Sequence, residues 1–442
     1  MKKMCIKDIV TSSSDNTKVT ICGWIKEKRH YKDVIFLDLT DSTGVIQIVA
    51  NRLKLDEKTF ESFKEISHES AIEIKGSVCH AESSLNQKIS VEASSMKIVS
   101  RASHQISPRP RSDFDIFDPN LANHLLRNRH LYIRNPKIIS ILHFRHLLMS
   151  YMRDWFNNNN FIEINAPVLT SVPLYEDGSA LSLDMKGNKV FLTQCVGYYL
   201  EAAVQAFDRV YNMGPSFRGE ESHSKRHLME YWHIKAELTY GNREDIINLV
   251  ESIISYLTKR CADTTEEILK PLGRTICLDG LKIPYPRLSY DDAIIFLQKK
   301  GEDIQFGKSL GSHDEALLSE LYDSPFWIVG IPRTVEPFPY RIDPTDKRKT
   351  MVADLIANKG YGELLGVAEK ISDPKMLSTR MIEKGRHKDP RYEWIREVHK
   401  AGCVPHIAFG MGVERLIRWL LDIPHVRDTI AFPRTFRRKI YP

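Results

Sequence analysis

The chain has no run of about 18 apolar residues, so no membrane-spanning helix is expected. The opening MKKMCIKDIVTSSSDN also lacks the apolar stretch of a secretion signal. Both absences lead to the expectation of a cytoplasmic protein. Cysteine is sparse: seven residues, odd in number, scattered and without a CxxC pair, which speaks against a disulfide framework or a zinc site. Internal repeats and low-complexity tracts are missing. Excess charge is modest, at +6 over 442 residues, so composition alone does not call for a nucleic-acid partner. Basic residues do gather between Arg415 and Pro442, where they make either a solvated helix face or a phosphate-binding surface.

What is present is enough apolar residue, 42%, for a large core and two or three domains. The first hundred residues alternate as short strands: KVTICGWIKEK, VIFLDLTD, GVIQIVA, AIEIKGSVCH and KISVEASSMKIVS. LDEKTFESFKEIS, after the third, has helical spacing. Five strands with a helix after the third is the order of an OB-type barrel, whose strand face binds single-stranded nucleic acid. The polar, proline-containing RASHQISPRPRSDFD then reads as an extended connector. The expected division is a barrel over 1–100, a linker over 101–134 and an α+β domain over 135–442, with an antiparallel sheet flanked by helices.

PKIISILHFRHLLMSYMRDWFNNNN has helical periodicity and an Asn-rich stop, and FIEINAPVLT follows as a strand. Farther on, DRVYNMGPSF and EYWHIKAEL read as strands on either side of FRGEESHSKRH. Alone, that charged stretch is a solvated hairpin tip. Its Arg218 and Glu220 share one strand face, suited to an anion with a base or sugar beside it. HIAFGMGVERLIRWLL joins a strand to a helix through Gly410 and Gly412, with Arg415 in the first turn. Such glycines allow a flat ring close to the backbone, and an arginine forks onto phosphate oxygens; a tightly packed junction is the structural alternative. Asp354 and Glu363, nine residues apart, are either surface acids or ligands for Mg²⁺ beside phosphates.

In order along the chain, a Pro-containing strand after a long helix, FRxE with a downstream RH, and GxGxER resemble the three signature motifs of class II aminoacyl-tRNA synthetases. The barrel in front narrows the resemblance to subclass IIb. Tyr199-Leu200-Glu201, RHLMEYW and the C-terminal VRDTIAFPRT resemble the asparaginyl type. The resemblance implies ATP bound by Arg218, Glu220, Arg226, His227, Leu228, Glu363, Gly412 and Arg415, with Arg218, Glu220 and Arg415 catalytic. It implies Mg²⁺ on Glu363 and Asp354. The amino acid would meet Glu176, Gly197, Glu201, Glu230, Ala368 and Lys370. An asparagine tRNA would meet Trp24, Arg29, Phe36 and Gln47, and the enzyme would be a homodimer.

The amino-acid end departs from the family pattern. Gly197 stands where a glutamine is usual, and Val367, Ala368 and Lys370 replace Gly, Ser and Arg. An asparaginyl-tRNA synthetase is the first expectation. A ligase of the same fold for another acid, or for an amine other than tRNA, is the second; a non-catalytic RNA-binding protein is the third.

Overall fold

The computed structural model describes residues 3–80, 89–103, 105–110, 113–173, 177–222, 224–436 and 438–441. Two compact units divide the chain, Met1–Phe114 and Asp115–Pro442. The stretch 101–134, expected as linker, is shared between them, and its second part carries short helices at Ala122–Arg127 and Arg129–Tyr132.

In the first unit β1 (Lys18–Tyr31), β2 (Val34–Thr40), β3 (Val45–Asn51), β4 (Ala71–His80) and β5 (Ile89–Ser100) close a barrel in the order β1-β2-β3-β5-β4. Alternation fixes which side faces in. Ile35, Leu37, Leu39, Ile46 and Ile48 are fully buried, each contributing about 1.5–3 kcal/mol by leaving water. Their neighbours Phe36, Asp38 and Gln47 must therefore face outward. The helix Glu57–Glu65, capped by the Asp56 side chain on the Thr59 N–H, adds Phe60 and Phe63 to the core.

The second unit is built on eight strands: β6 (Ile162–Glu163), β10 (Arg209–Phe217), β11 (Glu230–Thr239), β12 (Arg287–Ser289), β13 (Phe326–Val329), β14 (Val352–Ala357), β15 (Gly362–Glu369) and β16 (His406–Gly412). Their order is β12-β13-β14-β15-β16-β11-β10-β6. The central six are antiparallel as expected, but β12 and β6 join the two edges in parallel, so the sheet is mixed. A smaller sheet holds β7 (Leu169–Thr170), β8 (Ser182–Met185) and β9 (Asn188–Leu192). FIEINAPVLT, expected as one strand, is split between β6 and β7. Pro167 lies in the gap, where its lack of an N–H rules out a ladder bond.

The long helix Pro136–Asn158 is capped by the Asn135 side chain and buries Phe144, Leu148, Met152 and Phe156. Its Arg145 pairs at 2.7 Å with Glu414, the second residue of the helix Val413–Leu420, and so ties it to the strand–helix junction.

Candidate active site

One face of the central sheet is the floor of a cavity of about 590 Å³. The period-two rule puts Tyr231, His233 and Lys235 of β11 on that face, and all three line it. Across the sheet the register runs Lys235–Gly410–Gly366–Asp354. The two glycines keep this row flat. A Cβ on Gly410 would lie 2.8 Å from His233 Nε2, and one on Gly366 would lie 2.9 Å from Asp354 Oδ1.

Over this floor the separated charges of the sequence meet. Arg218 leaves β10, its N–H bonds the Met229 carbonyl at 2.9 Å, and its guanidinium lies 5.8 Å over the Tyr231 ring. Arg415 pairs with the Glu363 carboxylate at 3.0 Å, donates to the Glu363 carbonyl at 3.1 Å and lies 3.3 Å from His227 Nε2. Arg226 pairs with Glu315, whose carboxylate also accepts the Glu363 N–H at 2.8 Å. Glu220, Leu228 and Gly412 line the same cavity. Residues from the tip, β15 and the strand–helix junction are thus brought together.

The electrostatics follow from this convergence. Burial opposes a charge on Glu363, but Arg415 and Arg226 outweigh it and hold its pKa at about 2. His227 is pushed down to about 3 by burial and then by Arg415, Arg226 and Arg218, so it is neutral at physiological pH. A neutral folded imidazole that protonates once unfolded loses stability as pH falls below the ordinary histidine value. It does so until about pH 3, so stability rises with pH across that window. Between pH 6.5 and 5 a His227→Gln variant should show a stability slope shallower by up to about 1.4 kcal/mol per pH unit in denaturant titrations. An unchanged slope would contradict the neutral assignment.

Asp354 is pushed well above its ordinary value by burial and then by Glu363, Glu336 and Glu315. No group of three metal-ligating side chains occurs among the described residues. The donor set nevertheless suits Mg²⁺, which takes one or two protein carboxylates and fills its remaining positions with water and phosphate oxygens. Asp354 is a carboxyl crowded by other acids, set in a cradle that a Cβ at Gly366 would fill.

At the other end the expected residues are placed differently from one another. Glu201 and Lys370, expected to touch the amino acid, lie outside the cavity lining and pair with each other at 3.0 Å, both almost fully buried. The two opposite charges satisfy each other without a ligand. His399 completes the cluster at 2.7 Å from Glu201, and Glu237 lies 3.7 Å from Lys370. Glu230 pairs with Phe217 and bridges Arg434 away from the lining. Ala368 does line the cavity, whereas Gly197 sits behind Lys235, where an added Cβ would lie 3.5 Å from Lys235 Cε. Glu176 lies outside the described residues.

Among the lining residues that escaped the sequence reading are Tyr231, Lys235 and Glu315. For Tyr231 and Lys235 the signal was available, since every second residue of YWHIKAE shares a face with Tyr231. Glu315, in the helix Ser312–Leu318 far from any signature, carried none.

On the barrel, Arg29 and Phe36 are cross-strand partners, as are Asp38 and Gln47. Arg29 pairs with Asp38 at 3.0 Å, Phe36 packs edge-on to Tyr31, and Trp24 is 45% exposed. Aromatic and hydrogen-bonding groups therefore share one outer strand face.

Comparison with known proteins agrees with both units. Residues 122–436 match the family described as tRNA synthetases class II (D, K and N), and residues 19–99 match the OB-fold nucleic acid binding domain. The chain is 34% identical over 436 residues to the asparagine–tRNA ligase of Thermococcus kodakarensis, covering 98% of each. It is 35% identical over 428 residues to that of Desulforamulus reducens, covering 96% of each. The structure of asparaginyl-tRNA synthetase from Pyrococcus horikoshii complexed with asparaginyl-adenylate superposes with a TM-score of 0.92 at 32% identity over both full chains. With the signature residues assembled on one sheet face and a family match across most of its length, this chain belongs to the class II tRNA synthetases of the D, K and N group.

Proposed function

We propose that the protein is an ATP-dependent ligase that activates asparagine, or an acid of its size, as an acyl-adenylate and transfers the acyl group to tRNA. The observation that carries this reading is the convergence of Arg218, Arg226 and Arg415 over a glycine-floored sheet face, in a cavity large enough for a nucleotide and a small acid. The names of the relatives supply asparagine and tRNA as the substrates.

Two anions must meet for the first step, the acid's carboxylate and the α-phosphate of ATP. Arg218, at the mouth of the tip, is placed to neutralise both. The carboxylate oxygen bonds to the α-phosphorus, the bond from that phosphorus to the oxygen bridging to the β-phosphate breaks, and pyrophosphate leaves. Arg415 and Arg226 meet the charge of the departing phosphates, and Glu220 faces the base. Asp354 and Glu363 would hold Mg²⁺, which neutralises phosphate charge when bound. Alignment of this kind lowers the barrier by up to about 7–11 kcal/mol without a covalent enzyme intermediate. In the second step a terminal ribose hydroxyl of tRNA attacks the acyl carbon, loses its proton and releases AMP.

The reading includes a homodimer in the cytoplasm. Edge strand β6 presents Ile162, and the long helix presents Ile139, as apolar exposed side chains. No helix among the described residues is long and apolar enough to cross a membrane.

ATP–pyrophosphate exchange tests the first step; none with asparagine or any acid of its size, despite ATP binding, would end the proposal. The barrel's share is tested by Phe36→Ala. Loss of one stacked base costs about 1–3 kcal/mol, so tRNA charging should fall by roughly tenfold or more while exchange is unchanged. An equal fall in both steps would separate Phe36 from tRNA.

A further inference from the structure

The helix that carries Arg415 begins where the central sheet runs out of strand. His233 and Gly412 are the last residues paired between β11 and β16 at that end. With β16 finished, the N–H of Trp232 donates at 3.0 Å to the Oε2 of Glu414 instead. A side-chain carboxylate thus adds one more rung to the ladder and sets the direction in which the chain leaves the sheet. Arg415 is the next residue.

Glu414 is 1% exposed, and a carboxylate taken so far out of water needs a counter-charge. Arg145, also buried, provides it at 2.7 Å. Burial opposes the charge on Glu414, and Arg145 counters that opposition. The guanidinium comes from the far side of the sheet. Gly410 belongs to the cavity face, so Phe409 points away from it, and there the long helix lies with Phe156 stacked on Tyr211 at 4.1 Å and on Phe409 at 6.3 Å. Arg145 precedes Phe156 by about three helical turns, which carries it to the end of β16. It does not line the cavity, so it acts on a bound nucleotide only through Glu414 and Arg415. If the helix start shifts, Arg415 moves against Glu363 and His227, its partners over the floor.

We propose that Arg145 is a positioning residue for ATP: paired with Glu414, it holds the first turn of the helix Val413–Leu420 so that Arg415 meets the phosphates. The proposal rests on the acyl-adenylate reading and adds to it a residue outside the site. No bond is made or broken at Arg145.

The test is ATP–pyrophosphate exchange by the full chain with ATP and the acid varied separately. Arg145→Met should raise the KM for ATP by about tenfold and leave that for the acid unchanged, since a misplacement of about 1 Å can cost about 10²-fold. A purely structural role gives another pattern: fewer folded molecules lower kcat and leave both KM values alone. Arg145→Lys keeps a cation, though not the guanidinium fork, and should recover most of the loss. Where Arg145→Met folds poorly, the double variant Arg145→Met with Glu414→Gln takes its place. It leaves no charge at the pair and keeps an acceptor for the Trp232 N–H, so it should fold, with the KM for ATP still raised. An unchanged KM for ATP in the folded variant would overturn the inference, as would Arg145→Lys no better than Arg145→Met. Exchange absent from the unaltered chain with every acid would remove the acyl-adenylate reading instead. Equilibrium dialysis against ATP then decides this inference alone: weaker binding by the variant supports it, and equal binding overturns it.

Discussion

Arg415→Ala should reduce ATP–pyrophosphate exchange below detection, at least about 10³-fold, while the protein stays folded. Removing a single preorganised donor from a charge-developing site commonly costs 10²–10³-fold, and Arg415 does more than donate. It pairs with Glu363, caps the Glu363 carbonyl and faces His227, so its loss frees three groups at once. Glu363 would then keep Arg226 as its nearest cation, and its pKa should climb from about 2 toward the ordinary carboxylate range. The packing of the helix Val413–Leu420 does not depend on this guanidinium, because Leu416, Ile417 and Trp419 are buried without it. The unfolding midpoint should therefore move little. Near-normal exchange in this variant would remove Arg415 from the phosphate site; a collapsed midpoint would show that it holds the fold instead.

The largest stability effect is expected at Lys370→Met. Lys370, Glu201 and Glu237 are almost completely buried, and the lysine pairs with both carboxylates, at 3.0 and 3.7 Å. Its pKa is held well above the ordinary lysine value: burial works against the charge, and Glu201 and Glu237 outweigh it. Glu237 is pushed up to about 7 by burial, with Lys370 pulling the other way, so loss of the lysine drives it further toward the neutral acid. Breaking one side of a buried pair costs about 3–5 kcal/mol, because an uncompensated charge is left behind. The double variant Glu201→Gln with Lys370→Met should recover much of that loss, since two neutral side chains of similar size need no counter-charge. Denaturant titrations of the three proteins check both statements. A single variant as stable as the double one would mean that this cluster contributes little to folding.

Much of the arginine-rich end of the cavity was legible because its charge is concentrated in short stretches. FRGEESHSKRH carries more charge than a turn between apolar strands requires, and GMGVER sets an arginine just beyond glycines at a strand–helix junction. The barrel was legible from alternation alone, which put Phe36 outside once Ile35 and Leu37 were inside. The acid end was harder. Lys370 and Glu201 lie 169 residues apart, and their mutual attraction depends on burial that no local pattern reveals. Lys235 looked like an ordinary polar position in a strand, and only the folded sheet brings it to the cavity lining, with Gly197 and Gly410 beside its stem. Glu315 was hidden for a similar reason: an acid in a short helix acquires its role only when Arg226 and the Glu363 N–H are folded onto it.

The central claim is that these arginines direct a carboxylate onto the α-phosphorus of ATP, and the bond of ATP that breaks tests it most directly. With ATP labelled at the α-phosphate and an acid accepted by the site, the account predicts labelled AMP or its acyl ester together with pyrophosphate, and none of either when the acid is withheld. Labelled ADP with free phosphate, or cleavage indifferent to the acid, would contradict it.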